Sequence, residues 1–186
     1  LRWCVPRKYG GKHESLDVRS LCLIRETLAR YDALADFSFA MQGLGSGAIS
    51  LYGNSEQKQN ILEQVSTGRM IAGFALSEPD AGSDVAAMNS KAFSTTEGWK
   101  VNGEKSWISN GGIADYYTFF AKTSDQPGSG GISAFILKAD NPGLSIAERQ
   151  EVMAPHPLAR LQLKDAELPR QALLGEQGKG FGIAMA

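Results

Sequence analysis

Apolar residues recur with two different periods along this chain, and the change falls near residue 70. Val18, Leu21, Ile24 and Leu28 share one helical face, with Arg19, Arg25, Glu26 and Arg30 largely elsewhere. The pattern predicts an amphipathic helix beginning at Val18 behind an Asp17 cap. Residues 36–51 form a second apolar segment, rich in small residues from Gly43 to Gly47. Glycines lower helix propensity, so close packing or a ligand must compensate there. Ser55 is the expected cap of a third helix reaching Thr67, with Ile61, Leu62 and Val65 inward and Gly68 as its stop. Residues 5–15, broken by Pro6, Gly10 and Gly11, read as a loop.

After Met70 the period becomes two. Strands are expected over residues 70–77, 90–95, 99–102, 105–108, 116–123, 132–138, 144–148 and 159–164. Asn102-Gly103 signals a hairpin between the third and fourth. Residues 125–131, with Pro127 and three glycines, read as a mobile surface loop, and Gly178 to Phe181 as a turn re-entering helix. Short strands set after helices predict an α+β chain: an N-terminal helical segment, then an antiparallel β-barrel or sandwich.

Composition narrows the function classes. The chain has 186 residues, a formal net charge of -1, 42% hydrophobic and 21% charged residues, enough for one or two domains with a real core. The charge balance gives no electrostatic case for a nucleic-acid or membrane-surface partner. No apolar run approaches a bilayer span. Cys4 and Cys22 have no metal or redox spacing, so free thiols in a reducing compartment are expected. The two histidines, His13 and His156, have no metal-ligand partner at useful spacing.

Two stretches carry candidate chemistry. Phe74 to Asp84 ends an apolar run and then breaks at Pro79 and Gly82, crowding the oxygens of Ser77, Ser83 and Asp84 beside backbone N–H groups. Such a loop can receive a phosphate or another anion, or can simply connect two strands. Trp107 to Gly112 supplies a large aromatic, a hydroxyl and another forced turn, which suits a flat heteroaromatic ligand.

Leu76-Ser77-Glu78-Pro79 followed by Ala81-Gly82-Ser83-Asp84, with Trp107-Ile108-Ser109-Asn110-Gly111 downstream, resembles the acyl-CoA dehydrogenase family. Tyr9-Gly10-Gly11, Tyr52-Gly53, Glu56-Gln57-Lys58 and Leu174 to Phe181 extend the resemblance over nearly the whole chain. It implies a partial N-terminal helical domain at 1–68, an FAD-binding middle β-domain at 69–178, and the start of a truncated C-terminal helical domain at 179–186. It implies FAD held by Phe74, Leu76, Ser77, Gly82, Ser83, Trp107, Ile108 and Ser109. The pyrophosphate would rest at Gly82-Ser83, Trp107 would flank the ring system, and the Ser109 hydroxyl would approach N5. Ser83, Ala40, Met41, Gln42 and Leu44 are implied on the acyl-CoA side, with core packing an equal alternative for the last four. Trp107 as barrel core, and Ser77 and Ser109 as strand-end caps, remain alternatives.

The reaction implied is α,β-dehydrogenation of an acyl-CoA thioester, with a carboxylate base removing the α-proton as hydride leaves the β-carbon. The resemblance puts that base, a glutamate, beyond Ala186, so no catalytic residue is expected in this chain, and Glu78, Glu104 and Glu176 are poor substitutes. It also implies an electron-transfer flavoprotein as acceptor, a homotetramer or homodimer, a bacterial cytoplasmic or mitochondrial matrix setting, and weak FAD binding by these 186 residues alone. Competing readings are a flavin monooxygenase, oxidase or desulfinase on the same fold, and a non-catalytic flavin- or CoA-binding module. The family's usual Tyr at position 74 is Phe here, and residues 153–158 depart from the Arg/Ser/Thr-containing stretch of many relatives, with Pro155 and Pro157 stiffening the segment.

Overall fold

Helix α1 (Val18–Tyr31) starts where the Asp17 carboxylate accepts the Ser20 N–H at 3.3 Å in the computed structural model, which describes residues 1–154 and 156–186. Pro155, and its expected stiffening role, lie outside those residues. Asp32 alone joins α1 to α2 (Ala33–Tyr52), capping α2 through the N–H groups of Leu34 and Ala35 at 2.8 and 3.0 Å. Arg25 closes the corner with two 2.9 Å bonds to Asp36. Leu21, Ile24 and Leu28 are half-buried, whereas Val18, expected inward, is 69% exposed. Helix α3 (Ser55–Thr67) is capped by Asn54 rather than Ser55. The Asn54 side chain accepts the Gln57 N–H and the Gln57 side chain accepts the Asn54 N–H, both at 2.9 Å. This reciprocal box satisfies two donors that a serine one position later would leave open. Residues 5–15 are more than a loop: a 3-10 turn at Arg7–Tyr9 buries Tyr9, beside buried Cys4 and Val5.

The strands are β1 (Ala72–Ala75), β2 (Lys91–Ser94), β3 (Gly98–Ser109), β4 (Tyr116–Lys122), β5 (Ile132–Lys138), β6 (Leu144–Arg149), β7 (Leu158–Pro169) and β8 (Leu173–Leu174). They form one sheet in the order β6-β7-β3-β2-β4-β5-β8, with β1 added beside β4. Pairing is antiparallel except that β1 and β2 each meet β4 in parallel. The short helix α4 (Gly180–Ala184) follows β8.

The hairpin expected at Asn102-Gly103 is absent: β3 runs straight through it. Asn102 reaches across to β7, accepting the Asp165 N–H at 2.8 Å and donating to the Asp165 carboxylate at 3.2 Å. Gly103 serves close approach instead, since a Cβ there would lie 2.2 Å from the Ser90 hydroxyl. The true turn is Thr95 to Gly98, closed by Thr95 N–H to Gly98 O at 2.9 Å and Gly98 N–H to the Thr95 hydroxyl at 3.0 Å.

Two cores result. Ala75, Val101, Phe119, Phe135 and Leu161 fill the barrel, while Ile49, Leu62, Val65, Ala72, Tyr116 and Phe120 fill the space between helices and sheet. Strand β4 serves both, Tyr117 and Phe119 facing the barrel and Tyr116 and Phe120 the helices, which is why it reads as a continuous apolar run. Among the described residues no helix is long and apolar enough to cross a membrane.

Candidate active site

The turn after β1 is built around a buried ion pair. Glu78 and Ala81 exchange backbone bonds at 3.0 and 3.2 Å, which folds Pro79 and Asp80 outward. The Glu78 carboxylate, 5% exposed, accepts the N–H groups of Asn89 and Ser90 at 2.5 and 3.0 Å and the Lys105 ammonium at 2.8 Å. Lys105, fully buried on β3, also donates to Leu76 O at 3.0 Å and lies over the Phe119 ring, 5.1 Å from its centroid. Burial pushes the Glu78 carboxyl upward, but the Lys105 ammonium and the donors of Ser90 and Asn89 outweigh it and hold it below the usual carboxylate range. Burial pushes Lys105 down to about 8 against the pull of Glu78.

The same strand then delivers the second stretch. Ser106 N–H donates to Ser77 O at 2.9 Å, so the two sequence-distant clusters touch. The pairing of β3 with β7 slips between Lys105 and Ile108. Trp107 sits in that bulge with φ +60, a region bulky side chains avoid, and its side chain turns outward at 59% exposure. Gln150 holds the bulge, accepting the Trp107 N–H at 2.9 Å and donating to the Ser106 hydroxyl at 3.2 Å. Asn110, also left-handed at φ +59, is buried and donates to Ala72 O at 2.8 Å, tying the second stretch to the start of β1.

Donors remain open around this junction. Among the described residues no partner accepts from the N–H groups of Leu76, Ser77, Gly82 or Ser83, nor engages the hydroxyls of Ser77, Ser83 or Ser109. A Cβ on Gly82 would meet nothing within 4 Å, so the chain itself gives no steric reason for glycine there. Gly82→Leu is therefore expected to leave the melting temperature unchanged while weakening whatever lies against this turn; a lower melting temperature, read by calorimetry, would mean the turn itself needs glycine.

A model of the acyl-CoA dehydrogenase middle domain matches residues 73–166, and one of the N-terminal domain matches residues 1–69. The chain belongs to the acyl-CoA dehydrogenase family. A probable acyl-CoA dehydrogenase of Mycobacterium leprae is 36% identical over 184 residues, 98% of this chain and 47% of that protein. The butyryl-CoA dehydrogenase structure from Megasphaera elsdenii superposes with a TM-score of 0.91 at 35% identity, over 96% of this chain and 48% of the other. An acyl-CoA dehydrogenase from Bacillus anthracis complexed with FAD gives 0.89 at 36% identity, over 100% and 31% of the two chains. The chain spans about half the length of the curated relatives it matches.

The acyl-CoA dehydrogenase residues singled out in the sequence divide in their placement. Ser77 meets the second stretch through Ser106, the residue before Trp107, and Gly82 and Ser83 lie on the exposed turn that follows Glu78. Trp107 is not barrel core. Ile108 is: its side chain is 1% exposed among barrel residues, so only its backbone can reach a ligand. Phe74 faces the helix side and packs on Phe120, ring centroids 5.1 Å apart. Ala40 and Met41 are half-buried and Leu44 is 45% exposed on α2. Gln42 does not offer its amide to a pocket. It donates to Met70 O and accepts the Ala72 N–H at 3.0 Å, pairing with the edge of β1 as a strand would. A concavity of about 910 Å³ lies between α3 and the ends of β5 and β7 and is lined by none of the residues implied for FAD or acyl-CoA. Lys105 and Gln150 were not singled out in the sequence. Lys105 shares the inward period-two face of β3 with Val101, which was the available signal; Gln150 carries none.

Proposed function

We propose that this chain supplies the flavin-holding half of an FAD-dependent acyl-CoA dehydrogenase. The observation that carries the reading is Trp107: an exposed indole held in a left-handed bulge, one residue after Ser106, whose N–H bonds Ser77 O. Backbone strain of roughly 1–3 kcal/mol at such a position persists where function needs the geometry. The residues fit FAD. The indole offers a flat apolar face, the Ser77 and Ser109 hydroxyls offer orienting bonds, and the Gly82-Ser83 turn offers N–H donors to a diphosphate without a lysine. FAD, when bound, accepts the hydride that leaves the β-carbon of the substrate. The protein's part is to fix the ring edge with donors, exclude water with Trp107, and hold Ser83 where it reaches the thioester arm.

We place the base that removes the α-proton outside residues 1–186. Glu78 is committed to Lys105, Asn89 and Ser90, Glu104 pairs with Arg160 at 3.3 Å, and Glu176 is exposed. On this reading the 186 residues alone are inactive and hold FAD weakly. They divide into a helical part to Gly68, a β part to Gly178 and a final helical start. The complete protein is a homo-oligomer in the bacterial cytoplasm or mitochondrial matrix that passes electrons to an electron-transfer flavoprotein. Ala40, Met41 and Leu44 are proposed for the acyl pocket.

Anaerobic titration of the complete protein with a panel of acyl-CoA thioesters tests this. Bleaching of flavin absorbance by one chain-length class is the expected result. No bleaching with any thioester would leave a binding module, and rapid oxygen consumption by the reduced protein would move the reading to an oxidase or monooxygenase.

A further inference from the structure

We propose that Lys105 is a positioning residue for the flavin edge, its ammonium polarising the Leu76–Ser77 peptide unit so that the Ser77 N–H becomes a stronger donor into the cradle. This rests on the reading that the cradle receives FAD. Leu76 O and Ser77 N–H are the two ends of one amide, coupled through its resonance. The ammonium touches the oxygen end at 3.0 Å, and the hydrogen end has no partner among the described residues. A charge-assisted bond at one end of a low-dielectric chain strengthens the bond at the other, by an estimated 10–30%. A stronger donor at the ring edge favours the electron-rich, reduced flavin.

Stability alone explains the lysine poorly. A buried ion pair contributes about as much as well-packed apolar residues of the same volume, and often less. Lys105 is fully buried in a barrel whose other inward β3 positions include Val101 and Ile108, so an apolar pair would fill the space. Glu78 neutralises the ammonium without touching the amide, which leaves the positive pole in contact with Leu76 O.

The test compares the complete protein with its Glu78→Gln/Lys105→Met double variant, which leaves no lone buried charge. Labelling with carbonyl-13C leucine and 15N serine isolates Leu-Ser steps, and this sequence contains two, Leu76-Ser77 and Leu144-Ser145. In the apo protein the Ser77 amide proton is expected to move upfield in the double variant while Ser145 stays in place as a folding control. With FAD loaded, the preference for reduced over oxidised flavin is expected to fall about tenfold, equivalent to about 30 mV for two electrons. Glu78→Gln alone removes the carboxylate that helps hold the proton on buried Lys105, so its Ser77 resonance is expected to move upfield as rising pH converts the ammonium to the amine, and it reports even if the double variant fails to fold. A Ser77 resonance that is unmoved in the double variant, or that stays in place in Glu78→Gln as the pH is raised, overturns the proposal. Failure of the protein to take up FAD would instead overturn the flavin reading, with the Ser77 resonance still deciding the role of Lys105.

Discussion

Lys105→Met is expected to cost about 3–5 kcal/mol of folding stability, because it leaves the Glu78 carboxylate buried without its counter-charge. The geometry gives that carboxylate no escape: it is 5% exposed and held by two backbone N–H groups from the loop before β2. Adding Glu78→Gln is expected to restore most of the loss, since two neutral side chains of similar size remove the lone charge. Urea denaturation at pH 7 checks both. A Lys105→Met midpoint equal to that of the parent would mean the pair is solvated in solution. The acid limb carries the same signature. Glu78 titrates below its ordinary value of 4.5 in the folded chain. Its stabilising contribution is therefore present above about that pH and lost as pH falls through the lower folded value, so Glu78→Gln should flatten the acid limb.

Asn110→Ala is expected to cost about 2–5 kcal/mol, from two separable causes. The Asn110 side chain satisfies Ala72 O at 2.8 Å inside the protein. Losing that donor strands a buried carbonyl, worth roughly 1–3 kcal/mol. Its backbone at φ +59 is tolerated by asparagine but costs alanine roughly 1–2 kcal/mol. Asn110→Gly removes the first bond and relieves the second strain, so it should fall between parent and alanine. If glycine and alanine were equally destabilising, backbone strain would have no share in the loss.

The two candidate stretches were legible because Gly, Pro, Ser and Trp punctuate them where a backbone must turn or stop. Their meeting was legible only through the resemblance, since physically it depends on Ser106 N–H finding Ser77 O across 29 positions of chain. Asn102-Gly103 misled because the same residue pair that makes a tight turn also lets a long strand bend past another backbone. Lys105 was passed over because a lysine in a strand ordinarily reads as solvated; only its inward register beside Val101 argued otherwise. The bulge at Trp107 then shifts that register by one, sending Ile108 rather than Trp107 into the barrel. Gln42, which the resemblance implied on the acyl-CoA side with core packing as an equal alternative, spends its amide on the edge of β1. Of the α2 glycines, Gly45 is explained by packing, since a Cβ there would stand 2.5 Å from that of Ala72, whereas a Cβ on Gly47 would meet nothing within 4 Å.

The most direct test of the shared cradle is equilibrium FAD binding by the complete protein and three single variants. Trp107→Ala removes the exposed indole and Ser109→Ala the open hydroxyl two positions on along β3. His156→Ala changes a residue whose ring lies tilted against Phe37, centroids 4.1 Å apart, and which is assigned no part in holding flavin. Weaker FAD binding in the first two and parental binding in the third is the expected result; equal binding by all three would contradict it.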